Sequence, residues 1–118
     1  MGRLTTHVLD TMKGGPAAGV AVTLHRLHPD GRREALIECV TNADGRTDRP
    51  MLAGDGVQPG VYELGFAIGA YFRASGAALP EPAFLDIVPL RFGVADADGH
   101  YHVPLLASPW SYSTYRGS

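Results

Sequence analysis

Histidines are the residues of this chain best placed to move protons near neutral pH, and three of the five stand where a β-strand would fix their direction. His7 lies inside the run Leu4 to Asp10. His100 and His102 are two apart in the run His100 to Ala107, a spacing that sends both imidazoles to one face of a strand. A histidine on a strand is most often a surface or hydrogen-bonded residue. An i, i+2 pair also suits a shared cation with His7 as a third ligand, but no Asp, Glu or Cys stands near enough in sequence to act as a fourth ligand or to orient a ring. His25 and His28 flank a turn and are expected in solvent.

Other candidates carry less. Cys39, centred in a strand-like run, reads as a core filler rather than a nucleophile. Asp96-Ala97-Asp98-Gly99 has a turn's composition, without the alternating carboxylates and twelfth-position Glu of a calcium loop. No Gly-x-Ser-x-Gly elbow, phosphate-binding loop or Gly-x-Gly-x-x-Gly fingerprint occurs, so serine hydrolase, P-loop and dinucleotide readings have no support. The tail from Ser108 to Ser118 carries Trp110, Tyr112 and Tyr115. Rings of that size are costly to leave in water, so the tail is expected to dock. Arg116 and the terminal carboxylate of Ser118 suit recognition better than packing.

The elements that must position these groups are short. Fifteen glycines and nine prolines cut the chain into the brief runs of an all-β domain. Strands are expected over Leu4 to Asp10, Ala18 to Leu27, Glu34 to Thr41, Val61 to Ile68, Asp86 to Val94 and His100 to Ala107, with at most a short one near Arg49 to Leu52. Pro89 restricts its strand to an edge or a bulge. In Glu34 to Thr41, Leu36, Glu38 and Val40 are expected on one face and Ala35, Ile37 and Cys39 on the other. Lys13-Gly14-Gly15-Pro16 should close the first strand, with positive φ at the glycine pair and proline ending the ladder. Asn42-Ala43-Asp44-Gly45-Arg46 reads as a turn in which Asp44 bonds its own backbone and Gly45 turns left-handed, so Arg46 leaves on a fixed path. Gly69 to Ala78, without a β-branched residue, is the one expected helix. It is too short for a parallel crossover, which leaves an antiparallel β-sandwich of seven or eight strands.

Composition bounds the role. A chain of 118 residues is one domain, 1–118, with enough apolar content (45%) to build a core. Ten basic against twelve acidic residues leave no basic patch for phosphates, so no nucleic acid is expected as partner. One cysteine excludes an intrachain disulfide and a Cys-rich zinc site. With no signal-like or membrane-spanning apolar run, a reducing, cytoplasmic setting and no membrane association are expected.

Assembled in order, Leu4-Thr5-Thr6-His7-Val8-Leu9-Asp10, Gly15-Pro16-Ala17, Asp44-Gly45-Arg46, His100-Tyr101-His102-Val103-Pro104-Leu105-Leu106 and the closing Tyr115-Arg116-Gly117-Ser118 resemble the transthyretin-related 5-hydroxyisourate hydrolase family over essentially the whole chain. The closing tetrapeptide separates those enzymes from hormone-carrying transthyretin. The resemblance implies a transthyretin-like sandwich of about eight strands in two sheets with one short helix, and a homotetramer, a dimer of dimers, with active sites in a central channel. It implies hydrolysis of 5-hydroxyisourate with no metal or organic cofactor. Catalytic roles fall on His7, Arg46, His102 and Ser118, and substrate contacts on His7, Arg46, Tyr115, Arg116 and Gly117. Many relatives have an acidic residue where this chain has Ala70, outside the catalytic set. The alternative is a non-enzymatic carrier of small ligands in the same channel.

Overall fold

Alternation sets the first layer. Leu4, Thr6, Val8 and Asp10 are buried while Thr5, His7 and Leu9 between them are half-exposed, the period of a strand with one face on the core. The computed structural model describes residues 1–117, and in it this run is two strands, β1 (Arg3–Thr5) and β2 (Val8–Asp10). They lie beside β9 (His100–His102) and β10 (Leu105–Ala107) in one register, with Leu4 opposite Tyr101 and Val8 opposite Leu105. Pro104, which lacks an N–H, interrupts the second run. The ladder continues across the break, because Val103 N–H donates to Thr5 and Leu105 N–H to His7, both at 2.9 Å.

This pairing is parallel, whereas every other pairing among the described strands is antiparallel, as expected. A parallel neighbour needs a long connection, and here the whole opposite sheet lies between the two runs. That sheet has the order β5 (Arg33–Val40), β4 (Ala21–Leu27), β7 (Gly60–Ala67), β8 (Ile87–Val94). The first layer is completed by β3 (Gly15–Pro16), β6 (Leu52–Ala53) and β11 (Tyr112–Thr114) at its margins. Pro89 sits on the edge strand β8. Pro16 does not end the ladder as expected: it lies opposite Leu9, and of the glycine pair only Gly14 has positive φ.

Between the layers lie Val22, Leu24, Tyr62, Leu64, Phe66, Val88, Val8, Leu105 and their neighbours, all buried. Each such aliphatic or aromatic side chain contributes roughly 1.5–3 kcal/mol relative to exposure. Strand β5 departs from strict alternation. Its register against β4 shifts between Leu24 opposite Ile37 and His25 opposite Ala35, so Leu36 is an extra residue. The bulge turns both Leu36 and Cys39 toward the core, although they had been expected on opposite faces. Burial pushes the Cys39 thiol up, and its Sγ lies 3.5 Å from the Met51 sulfur.

Helix α1 (Ile68–Ala74) is shorter than expected because Gly76, at φ +95°, ends it. Ala77 N–H reaches back to Phe72 and Gly76 N–H to Arg73, the paired bonds that satisfy terminal helix carbonyls. The helix is tied to β2 through Tyr71, whose hydroxyl donates to buried Asp10 at 2.8 Å. Burial, together with that carboxylate, raises the phenol to about 12. His28 is not free in solvent: its Nε2 lies 2.8 Å from Glu34, whose carboxyl the contact holds below its usual value. No helix among the described residues is long and apolar enough to cross a membrane.

Candidate active site

The alternation that buries Leu4, Thr6 and Val8 obliges Thr5 and His7 to face outward, and the matching register sends His100 and His102 to that same outer face. The polar groups thus collect on the outside of the first layer. Opposite them the chain from Arg46 to Leu52 runs antiparallel to β1. His7 is bridged to Arg46 and Leu4 to Leu52, so Thr5 and Thr6 face the longer stretch Thr47 to Met51. The surplus chain loops outward and opens a cleft of about 400 Å³, lined by Thr5, Arg46, Arg49 and His102 among others.

The turn that delivers Arg46 is built as expected at Gly45 and differently at its side-chain cap. Gly45 has φ +74°, and a side chain there would collide with the Val8 carbonyl oxygen. Its carbonyl accepts from Val8 N–H at 2.7 Å, docking the turn on β2. Asn42, rather than Asp44, supplies the cap, accepting from the N–H groups of Asp44 (2.9 Å) and Arg46 (3.2 Å). Asp44 contributes its backbone carbonyl, 2.8 Å from His7 Nε2. A carbonyl only accepts, so this nitrogen carries the hydrogen and neutral His7 keeps Nδ1 as its acceptor.

His102 is half-buried and held from three sides. Its Nδ1 lies 2.8 Å from Thr5 Oγ1, its carbonyl accepts from Gly117 N–H at 2.7 Å, and its ring packs against Gly117. Desolvation lowers its proton affinity, and the Arg46 cation and then His7 lower it further, so the imidazole is neutral at pH 7. The tail reaches this point by docking as expected. Strand β11 pairs with β10, and Thr114 Oγ1 donates to the Pro104 carbonyl at 2.7 Å. Arg116 then lies 4.3 Å from the Tyr101 ring centroid and donates to the His100 carbonyl. The tail's rings are not covered, however: Trp110 and Tyr115 are 58% and 60% exposed.

A second hollow, lined by His100, His102, Tyr115, Arg116 and Gly117, adjoins the first through the two histidines they share. The expected residues therefore divide. Arg46 and His102 line the first hollow and His102, Tyr115, Arg116 and Gly117 the second, while His7, bonded to the Asp44 carbonyl, lines neither. Ser118 lies outside the described residues. No three His, Cys, Asp or Glu side chains among the described residues gather as a metal cluster. Sequence reading missed Thr5 and Asn42. Thr5 had a signal, since it is two residues before His7 on the same face; Asn42 had only its place at the head of the turn.

Gly117 gives the first expected outcome. A β-carbon built there would stand 2.6 Å from His102 Cδ2, so Gly117→Ala must displace either the ring or the tail. If His102 is a reacting group, as the resemblance implies, a displacement of about 1 Å can cost around a hundredfold, so a 10- to 100-fold fall in turnover is expected. The melting temperature should hardly move, since the tail is surface chain; an unchanged rate would show that the tail does not position His102.

A two-layer sandwich that gathers a histidine and an arginine on the outer face of one layer, with the chain's own tail folded against the histidine, is a transthyretin-like β-sandwich with a polar surface site. The chain belongs to the HIUase/Transthyretin family, whose model matches residues 4–117. It is 60% identical over 118 residues to the 5-hydroxyisourate hydrolase of Ralstonia nicotianae, covering all of both chains. Among solved structures it resembles Klebsiella pneumoniae 5-hydroxyisourate hydrolase (TM-score 0.82, 36% identity, all of both chains). It also resembles an (S)-allantoin synthase, with TM-score 0.93 and 50% identity over 99% of this chain, and spans 44% of that longer chain.

Proposed function

We propose that this protein hydrolyses 5-hydroxyisourate to 2-oxo-4-hydroxy-4-carboxy-5-ureidoimidazoline, a step of urate breakdown. The observation that carries this reading is the meeting of His102, whose proton affinity burial and the Arg46 cation lower, and Arg46 on the walls of one cleft. Opening the ring requires a water to lose a proton as it adds to a ring amide carbonyl, and requires stabilisation of the resulting oxyanion. His102 takes the proton, Arg46 faces the developing negative charge with its planar, permanently charged fork, and the freed ring nitrogen is protonated as the C–N bond breaks. His7, its Nε2–H committed to Asp44, offers Nδ1 as the second proton-handling group. Tyr115, Arg116 and Gly117 complete the substrate contacts, and Ser118 belongs with the catalytic set, as the resemblance implies. A carrier of apolar ligands would gain nothing from desolvating such a set. None of these steps calls for a metal or organic cofactor. In water enriched in oxygen-18, one labelled oxygen is expected in the product carboxylate; its absence would exclude water attack at that carbonyl.

The same reading makes the protein a homotetramer, a dimer of dimers, in the cytoplasm. Strands β8 and β11 are open edges, Ile87 on β8 is 56% exposed, and the proposed site lies on an outer face open to another copy. Light scattering should give about four times the 12.5 kDa chain mass; a monomer at micromolar concentration would contradict it.

The pH dependence has a definite sign. His102 binds protons less readily than an ordinary histidine of about 6.5, so the base form persists to lower pH. The acid limb of kcat/KM is expected below 6.5, and the folded state should lose stability as pH drops through and below that value, where the unfolded chain takes up the proton first. A limb at or above 6.5 would contradict the assignment of His102 as base.

A further inference from the structure

We infer that Thr5 is a positioning residue for catalysis: its hydroxyl accepts the Nδ1–H of His102 and so selects Nε2 as the nitrogen that takes the proton. This rests on the hydrolase reading and adds to it a residue that acts through His102.

The geometry begins with register. Thr5 and His102 are directly opposite in the parallel β1–β9 pair and share the outer face, which brings Oγ1 within 2.8 Å of Nδ1. Among the described residues, Nε2 has no hydrogen-bond partner, and the ring itself lines both hollows. A hydroxyl can serve either way, donating to a bare Nδ1 or accepting from a protonated one. The surrounding charge decides. Arg46, and after it His7, set a positive field at His102; Arg3 on β1 and Arg49 on the facing loop line the first hollow, His100 lines both and Arg116 on the tail lines the second, and among the described residues Asp48 is the single carboxylate lining the first. Asp48 is itself engaged by Asn42 at 3.1 Å. In such a field a lone pair directed into the cleft is favoured over an N–H, and the hydrogen is placed on Nδ1, toward Thr5.

A hydroxyl also suits the task better than a carboxylate would. An anionic partner on Nδ1 would favour the imidazolium and raise the proton affinity of the ring, leaving it charged at rest. A neutral acceptor fixes tautomer and orientation while His102 stays a free base. When Nε2 takes the proton of the attacking water, the Nδ1–H bond to Thr5 is kept, so no rearrangement accompanies the transfer.

Thr5→Val keeps the shape and removes the hydroxyl, and Thr5→Ser restores it. Thr5→Val is expected to lower kcat about 10- to 100-fold with KM within about twofold, to move the acid limb to lower pH as the imidazolium loses its acceptor, and to leave Thr5→Ser near wild type. A Thr5→Val enzyme with wild-type kcat and acid limb would overturn the inference, as would a Thr5→Ser enzyme as impaired as Thr5→Val. If a variant fails to fold, nitrogen-15 NMR of the His102 ring in the wild-type protein still decides: Nδ1–H is expected at pH 7.5, and Nε2–H would overturn the inference. That spectrum needs no turnover, so it stands or falls separately from the hydrolase reading, which fails if the wild-type protein does not open the substrate.

Discussion

Replacing His102 with asparagine lowers kcat/KM by about 100- to 10,000-fold, the range that positioned proton transfer supplies, while the melting temperature stays close to that of wild type. The two halves of this expectation have separate physical origins. Asparagine fills part of the imidazole's volume and retains a polar atom for Thr5, and the backbone bond from Gly117 N–H to the carbonyl at position 102 does not involve the side chain. The ladder to β1 and the backbone anchor of the tail are therefore kept. What disappears is the one group at the cleft held in its neutral, proton-accepting form by burial and by the neighbouring Arg46 cation. Initial rates across pH would show the loss and would also show the acid limb vanish. A His102→Asn protein with intact turnover would remove His102 from the site even if the protein is a hydrolase.

Arg46→Gln should be nearly as damaging, about 100- to 1,000-fold in kcat, because a preorganised donor facing a developing oxyanion is worth about 3–4 kcal/mol. The fold is expected to tolerate the change within about 0.5 kcal/mol, since the side chain is exposed and makes no ion pair or hydrogen bond to a described residue. The contacts that place this residue are made by backbone: its N–H to Asn42 and its bridge to His7. Arg46→Lys separates charge from geometry. Lysine keeps the positive charge but not the planar fork, so partial recovery identifies charge stabilisation and no recovery identifies oriented, two-point binding. A kcat within about threefold of wild type in Arg46→Gln would contradict the oxyanion role.

Much of the fold could be read from local chemistry. The strand expected over Ala18 to Leu27, the Asn42 to Gly45 turn and Pro89 on an edge strand are all decided within a few residues, where sequence carries the information. The bulge at Leu36 was not legible, because it is a shift of register between β4 and β5 that no residue of β5 advertises. The parallel β1–β9 pairing was equally hidden, since it joins segments almost a hundred residues apart. The site was legible in residue types, and family resemblance supplied the roles; spacing alone placed His100 and His102 on one face and could not bring Arg46 to them. Thr5 escaped because a threonine on a strand is unremarkable until a histidine is found opposite. The cap comes from Asn42 and not from Asp44, as both residues suit the turn equally well and only backbone direction distinguishes them.

The most direct measurement generates 5-hydroxyisourate in place from urate with a urate oxidase and follows its absorbance with and without the purified protein. The predicted result is loss of the signal far faster than the spontaneous decay, in proportion to protein concentration, with His102→Asn returning the trace almost to the spontaneous rate. A decay no faster with wild-type protein than without it would contradict the proposed hydrolysis.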